Sequence, residues 1–96
     1  MGKISKQRGK AIELAIAKYM GCKRNHFEPE DLQHPLLSIE CKHRKELSKT
    51  IKKWMAQAEA AAGTGKIPCV VMHEERQEYK NSLVIMRLKD LKDIIG

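Results

Sequence analysis

The stretch that decides the fold is residues 31–42, which read DLQHPLLSIECK. In its second half, apolar side chains alternate with other types, and this pattern predicts a strand over 36–42. Because a strand sends successive side chains to opposite faces, Glu40 and Lys42 would project together from the face opposite Ile39. A carboxylate and an ammonium group would therefore emerge side by side at the end of a buried strand.

A second acidic residue stands at the start of the same stretch. Residues 33–35 (QHP) predict a turn, which would fold Asp31 back beside Glu40. Two carboxylates and a lysine at one point would suit a divalent-metal site for phosphodiester chemistry, because Mg²⁺ prefers hard carboxylate oxygens. The alternative is a surface strand with an ordinary salt bridge. Spacing alone leaves both interpretations open, since such matches arise often by chance.

The composition points to a polyanionic partner. The chain has 96 residues, with 19 Lys and Arg against 12 Asp and Glu, and its formal net charge is +7. This excess favours nucleic acid. Aromatic residues make up only 4% of the chain, which argues against a single-strand binder that stacks bases on aromatic platforms. The length predicts a single domain over 1–96, in which residues 1–8 form a basic arm or the start of the first helix.

The cysteines and the hydropathy of the chain indicate the cellular compartment in which the protein is expected. Cys22, Cys41 and Cys69 are an odd number without CxxC spacing, so we expect reduced thiols in a cytoplasmic protein and no zinc or disulfide framework. No apolar run approaches the length of a membrane span, so no membrane partner is expected.

The remaining patterns predict an alternation of helices and strands. Apolar stripes at helical spacing mark the helices, and Ser48 is a good N-cap for the second of them. Short apolar runs mark the strands. The order predicts an α/β or α+β domain with a central mixed sheet flanked by helices. The predicted helices cover 7–20, 48–62 and 89–95, and the predicted strands 22–30, 36–42, 67–73 and 82–88.

The first helix carries a third candidate acid. Glu13 is the one charged residue in the apolar middle of that helix, and it is either a solvent-facing glutamate or a carboxylate aimed at the same metal. A helix with an embedded glutamate, then Asp31, then IECK at 39–42, then a helix with a glutamine resembles the PD-(D/E)xK nuclease superfamily. Within it the chain is most similar to archaeal-type Holliday-junction resolvases and related small phage endonucleases. The resemblance covers roughly residues 8–88, and IECK is its most specific part.

The resemblance implies a restriction-endonuclease-like core and a Mg²⁺-dependent endonuclease for which Mn²⁺ can substitute. Lys42 matches the catalytic lysine of the family, and Gln57 falls where relatives often carry a glutamine near the active site. The catalytic residues implied are Glu13, Asp31, Glu40, Lys42 and Gln57. The metal ligands implied are Glu13, Asp31, Glu40 and the backbone carbonyl of Cys41.

The chain departs from the family pattern at one position. The proline expected directly before the aspartate is absent, because Glu30 precedes Asp31 and Pro29 lies one residue further back. Glu28 and Glu30 are therefore alternative acids for the role of Asp31.

Basic residues cluster on either side of this motif. Those at the start of the second helix oppose the helix dipole, so as a group they do not serve stability, although any single one is an ordinary solvated side chain. Phosphate contact is the simpler explanation, and such a surface reads backbone and shape more than base sequence. The predicted DNA-binding residues are Lys3, Lys6, Arg8, Lys10, Arg24, Asn25, His26, His43, Arg44, Lys45, Lys49, Lys52 and Lys53.

Three functions stay open at this point. The first is a Holliday-junction resolvase of DNA recombination or repair, acting on four-way or other branched DNA as a homodimer whose two sites cut symmetrically. The second is a nuclease with the same site that acts on flaps, nicked DNA or duplex in a phage, and thus in the host cytoplasm. The third is a non-catalytic DNA-binding module. The acidic set argues against the third, because a pure binder gains nothing from carboxylates that face phosphates.

Overall fold

The computed structural model describes residues 2–26 and 29–96, with side chains from residue 9 onward. These residues form three α-helices and two small antiparallel sheets, and the mixed α/β class predicted from the sequence is confirmed. The chain divides into two compact units, Met1–Lys45 and Glu46–Gly96. Among the described helices, none has the length and apolar character needed to cross a membrane.

The first unit begins with a long helix, α1 (Gly2–Met20). The helix ends at Gly21, whose φ of +69° lies in the left-handed region that glycine adopts without a steric penalty. The amide of Cys22 then donates to the carbonyl of Ala17 at 2.9 Å and closes the last turn. Ala17 and Met20 are buried on the side of α1 that contacts the sheet.

Three short strands complete this unit. They are β1 (Lys23–Arg24), β2 (Leu32–Gln33) and β3 (Ser38–Ile39), paired antiparallel in the order β1-β2-β3. Leu32 on the central strand is fully buried and forms the centre of the unit's core.

The turn between β2 and β3 begins one residue later than predicted. Gln33 pairs with Ser38 as part of the sheet. The ring nitrogen Nδ1 of His34 accepts the amides of Leu36 and Leu37 at 3.1 and 3.2 Å and so holds the turn together. The side chain of His34 thus accepts the two turn amides in place of backbone carbonyls.

The second unit begins with α2 (Lys49–Ala61), whose predicted N-cap is confirmed: the Ser48 hydroxyl accepts the amide of Ile51 at 3.3 Å. Met55 on α2 is buried.

A two-stranded sheet follows in the same unit, formed by β4 (Val70–Met72) and β5 (Leu83–Ile85) in antiparallel pairing. A short 3₁₀ turn, Tyr79–Asn81, precedes β5, and the chain closes with α3 (Leu88–Ile95). β3, β4 and β5 are shorter than the strands predicted over 36–42, 67–73 and 82–88, and the sequence did not predict β2.

Candidate active site

The pairing of β2 with β3 brings two acids to the same end of the sheet. Leu32 pairs with Ile39, and directly beyond this pair the amide of Asp31 donates to the carbonyl of Ile39, so Asp31 lies beside the end of β3, where Glu40 follows. The side chain of Glu40 is also one of the groups that lower the pKa of Asp31. The tight connection predicted from the sequence therefore brings the two carboxyl groups together.

Hydrogen bonds fix Asp31 in this position. Its amide donates to the carbonyl of Ile39 at 2.9 Å, and its own carbonyl accepts the amide of Asn25 at the same distance. Its carboxylate oxygen Oδ2 accepts the amide of Cys41 at 2.6 Å. Because the amide of Cys41 donates to a side chain instead of to a backbone carbonyl of β2, the ladder stops at Ile39 and the predicted strand is shortened.

This environment favours the charged form of Asp31. The amide of Cys41 is the largest cause that holds the pKa of this carboxyl below its ordinary value, and partial burial opposes it. The hydrogen bond with Glu40 and the positive charges of Lys42 and Arg24 lower the pKa further. Asp31 is thus ionised and oriented, as a cation ligand must be.

Glu40 and Lys42 emerge together, as the strand pattern predicts. Burial alternates residue by residue from Leu37 to Lys42, with the acid and the lysine on the exposed side. Nζ of Lys42 lies 3.7 Å from Oε1 of Glu40, and the two side chains are 82% and 58% exposed. They therefore stand on an open edge where a large substrate can reach them.

Glu13 has a partner that the sequence did not indicate. Its Oε2 accepts Nε of Arg24 at 2.5 Å, and both side chains are largely buried. The pair joins the middle of α1 to β1. Glu13 also acts electrostatically on Cys41: burial raises the pKa of this thiol most, and the charges of Asp31 and Glu13 raise it next. Glu13 thus lies near the paired acids with its carboxylate occupied by Arg24.

The donor set fits a hydrated divalent cation. Within residues 9–26 and 29–96, no group of three or more His, Cys, Asp and Glu side chains is placed to hold a metal ion. The paired carboxylates of Asp31 and Glu40 are nevertheless the hard oxygen ligands that Mg²⁺ prefers, and this ion binds through one or two carboxylates while keeping several waters. Two carboxylates held close together repel each other unless a cation lies between them.

The other predicted site residues are distributed as follows. Gln57 lies exposed on α2 in the second unit. The amide group of Asn25 donates to the carbonyl of Glu30 at 3.0 Å and closes the loop before β2. Lys52 pairs with Glu46 at 3.1 Å. Glu28 and the side chains of Lys3, Lys6 and Arg8 lie outside the described residues. The exposed members of the predicted DNA-binding set are Lys10, His26, His43, Arg44, Lys45, Lys49, Lys52 and Lys53.

Sequence reasoning missed two contributions to this site. The amide of Cys41 orients Asp31, although the prediction concerned its carbonyl. Arg24 binds Glu13, although the prediction assigned it to DNA. The complementary charges of Arg24 and Glu13 were the signal available for the second contact.

A comparison with protein families finds a match over most of this chain. A family model described as "Phage putative PDDEXK endonuclease" matches residues 25–95. The match covers most of the chain and includes Asp31, Glu40 and Lys42, whereas Glu13 and Arg24 precede it. Searches of curated proteins and of solved structures found no match.

Proposed function

The chain belongs to the phage PDDEXK endonuclease family, a family of nucleases, and we propose that it hydrolyses the phosphodiesters of branched DNA with Mg²⁺ held by Asp31 and Glu40. One observation carries the proposal: the pairing of β2 with β3 brings these two acids to the same end of the sheet, with the ammonium of Lys42 3.7 Å from Glu40. This is the acid, acid and lysine set that the family resemblance implies.

The two acids have different tasks. Asp31 is the fixed ligand, because the Cys41 amide and the sheet hold its carboxylate in one orientation. Glu40 is the adaptable ligand, since its side chain is more exposed than that of Asp31. Among the described contacts, no backbone amide donates to its carboxylate. When bound there, a divalent cation supplies an acidified water and offsets charge on the phosphoryl oxygens.

Lys42 supplies a mobile positive charge at the same edge. Its ammonium lies on the side of the strand that carries Glu40, and it can turn from that carboxylate to a phosphate oxygen as negative charge develops. The alternating strand geometry that exposes both side chains also keeps them a fixed two residues apart.

Glu13 and Cys41 complete the proposed metal environment. Arg24 holds the Glu13 carboxylate near Cys41, where it would bind the hydrated ion through water. The carbonyl of Cys41 would contribute a further oxygen, as the family resemblance implies, and Gln57 would act near the scissile phosphate. Mn²⁺ would replace Mg²⁺, because it takes the same oxygen ligands.

Branched DNA is the proposed substrate. The net charge of +7 and the exposed basic residues that follow the motif would contact phosphates and read few base edges, which supports a structure-selective nuclease over a sequence-specific one. A two-fold homodimer would present two such sites to the two strands of a Holliday junction. The same site would serve a phage nuclease for flaps, nicked DNA or duplex.

The experiment is a cleavage assay with Mg²⁺ on matched substrates. A labelled four-way junction, a flap, linear duplex and single strand are compared for the wild type, Lys42→Ala and the control Lys66→Ala, which removes an exposed lysine from the second unit. The proposal predicts paired symmetric cuts in the junction, retained in Lys66→Ala and lost in Lys42→Ala.

Other outcomes separate the alternatives. Cuts in flaps or plain duplex, with the same dependence on Lys42, would keep the active site and replace the substrate. Tight binding without cleavage in either Mg²⁺ or Mn²⁺ would overturn the catalytic proposal. The mass of the protein–junction complex tests the dimer, and a single protomer on the junction would contradict it.

A further inference from the structure

A concave basic surface lies in the first unit between the last turns of α1 and strand β1. It is an open depression of about 620 Å³ with Leu14 and Ala17 on its apolar side. Its polar side consists of Lys18, Lys23, Arg24 and His26.

The surface continues along the sheet. A neighbouring cavity of about 460 Å³ shares Cys22 and Lys23 with the first and reaches His34 and Pro35 in the turn after β2. The two depressions adjoin at Cys22 and Lys23 on the edge strand and are together named the β1 groove.

The β1 groove carries positive charge that the first unit does not neutralise. Lys18 and Lys23 are exposed, and within the described part of this unit no carboxylate lies within 4.0 Å of either ammonium. A lysine in the last turn of a helix interacts favourably with the helix dipole, and a lysine on an edge strand discourages pairing with another chain. Neither use explains why Lys18 and Lys23 line the same depression as Arg24. Positive charge of the two lysines that no carboxylate balances raises the local concentration of anions there.

Arg24 connects one end of the β1 groove to the acidic residues of the candidate site. Arg24 lines the groove and at the same time donates Nε to Glu13, and its charge acts on Asp31. Its Nη1 lies 3.4 Å from Nδ1 of His26, so the guanidinium group spans from Glu13 to the groove. A chain of phosphates that follows the groove would therefore arrive beside the proposed metal ligands.

We propose that the β1 groove binds the sugar–phosphate backbone of the DNA strand that leads to the scissile phosphate, with Lys18 and Lys23 as its phosphate contacts. The inference rests on the proposed function for the identity of the ligand. An apolar side formed by Leu14 and Ala17 without an aromatic ring suits sugar faces and not stacked bases. Neither lysine belongs to the set of DNA-binding residues that the sequence predicts.

The test measures binding without chemistry. A labelled four-way junction is titrated in EDTA with wild type, with Lys18→Gln/Lys23→Gln and with the control Lys66→Gln/Lys80→Gln, which removes two exposed lysines of the second unit. The groove variant should bind about tenfold more weakly or worse near 0.1 M salt, and the slope of log K against log salt should fall by about 2, since each phosphate contact contributes about 0.9. The control pair should leave the slope close to that of the wild type.

Two further comparisons keep the proposal falsifiable. Lys18→Arg/Lys23→Arg keeps both charges and should restore binding and slope, which excludes a folding defect as the cause. Equal losses in the groove pair and the control pair would show a net-charge effect and overturn the proposal. Because the assay needs no cleavage, a wild type that binds through the groove but fails to cut in Mg²⁺ would overturn the proposed function alone. A groove variant that binds like the control while the wild type cuts would overturn the groove alone.

Discussion

Two short antiparallel strand pairs in this chain face solvent with opposite chemistry. In the second unit, Val71 pairs with Val84, and both side chains are exposed. In the first unit, the pairing of β2 with β3 brings Asp31 and Glu40 together at the end of the sheet. A cross-strand pair of β-branched residues stabilises a sheet, whereas two carboxylates held close together repel each other. The valine pair thus serves the fold, and the acid pair makes sense as a site for a cation.

The largest expected effect falls on cleavage when either acid loses its charge. Asp31→Asn and Glu40→Gln keep the size of each side chain but remove a hard anionic ligand, so we expect DNA cleavage in Mg²⁺ to fall by at least about a hundredfold, as for other charge-stabilising groups. Val71→Thr, which alters the other pair, is the matched control. Near-normal cleavage in both acid variants would show that the pair is structural.

Stability should distinguish the two acids. The Asp31 carboxylate accepts the Cys41 amide at 2.6 Å, so Asp31→Ala should lower the free energy of unfolding by about 1.5–3 kcal/mol, as expected for a hydrogen bond to a charged group. Glu40→Ala should leave it unchanged or raise it, because the repulsion disappears. Urea unfolding in EDTA measures both. A larger loss in Glu40→Ala would reverse the assignment of fixed and adaptable ligand.

The pH dependence of stability follows from the lowered pKa of Asp31. A carboxyl whose folded pKa lies below its ordinary value of 3.8 stabilises the fold fully above that value, and the contribution is lost as the pH falls through the folded pKa. In EDTA, the difference in unfolding free energy between wild type and Asp31→Asn should be constant near neutral pH and shrink below about pH 3.8. A difference that grows on acidification would contradict the environment described for Asp31.

The smallest effect concerns a transplanted acid pair. A double-mutant cycle with Val71→Glu and Val84→Glu places two carboxylates opposite each other in the second unit. We expect an unfavourable coupling of about 0.2–1 kcal/mol in EDTA, measured by urea unfolding. A coupling near zero would remove the premise that opposed acids need a cation.

Sequence patterns predicted the parts of the site that depend on local geometry. Two-residue periodicity predicted the exposed side shared by Glu40 and Lys42, and the turn at 33–35 predicted the return of Asp31 toward Glu40. Ser48 predicted the start of α2 because capping chemistry is local.

Contacts between distant elements were beyond such patterns. Arg24 and Glu13 are eleven residues apart, and their pairing depends on how α1 packs on β1. The bond from the Cys41 amide to Asp31 has a backbone donor. Every residue except proline offers such a donor, so the amino-acid sequence does not indicate which amide binds Asp31. The end of β3 at Ile39 depends on the same bond.

Cation binding in the absence of DNA tests the central claim most directly. Mn²⁺ is titrated into wild type, Asp31→Asn, Glu40→Gln and Lys42→Ala, and the free ion is measured by its EPR signal. Binding by wild type and Lys42→Ala, and its loss in both acid variants, is the predicted result, because the acids hold the ion and the lysine acts on the phosphate. Equal binding by all four proteins, or by none, would contradict the assignment of Asp31 and Glu40 as the metal site.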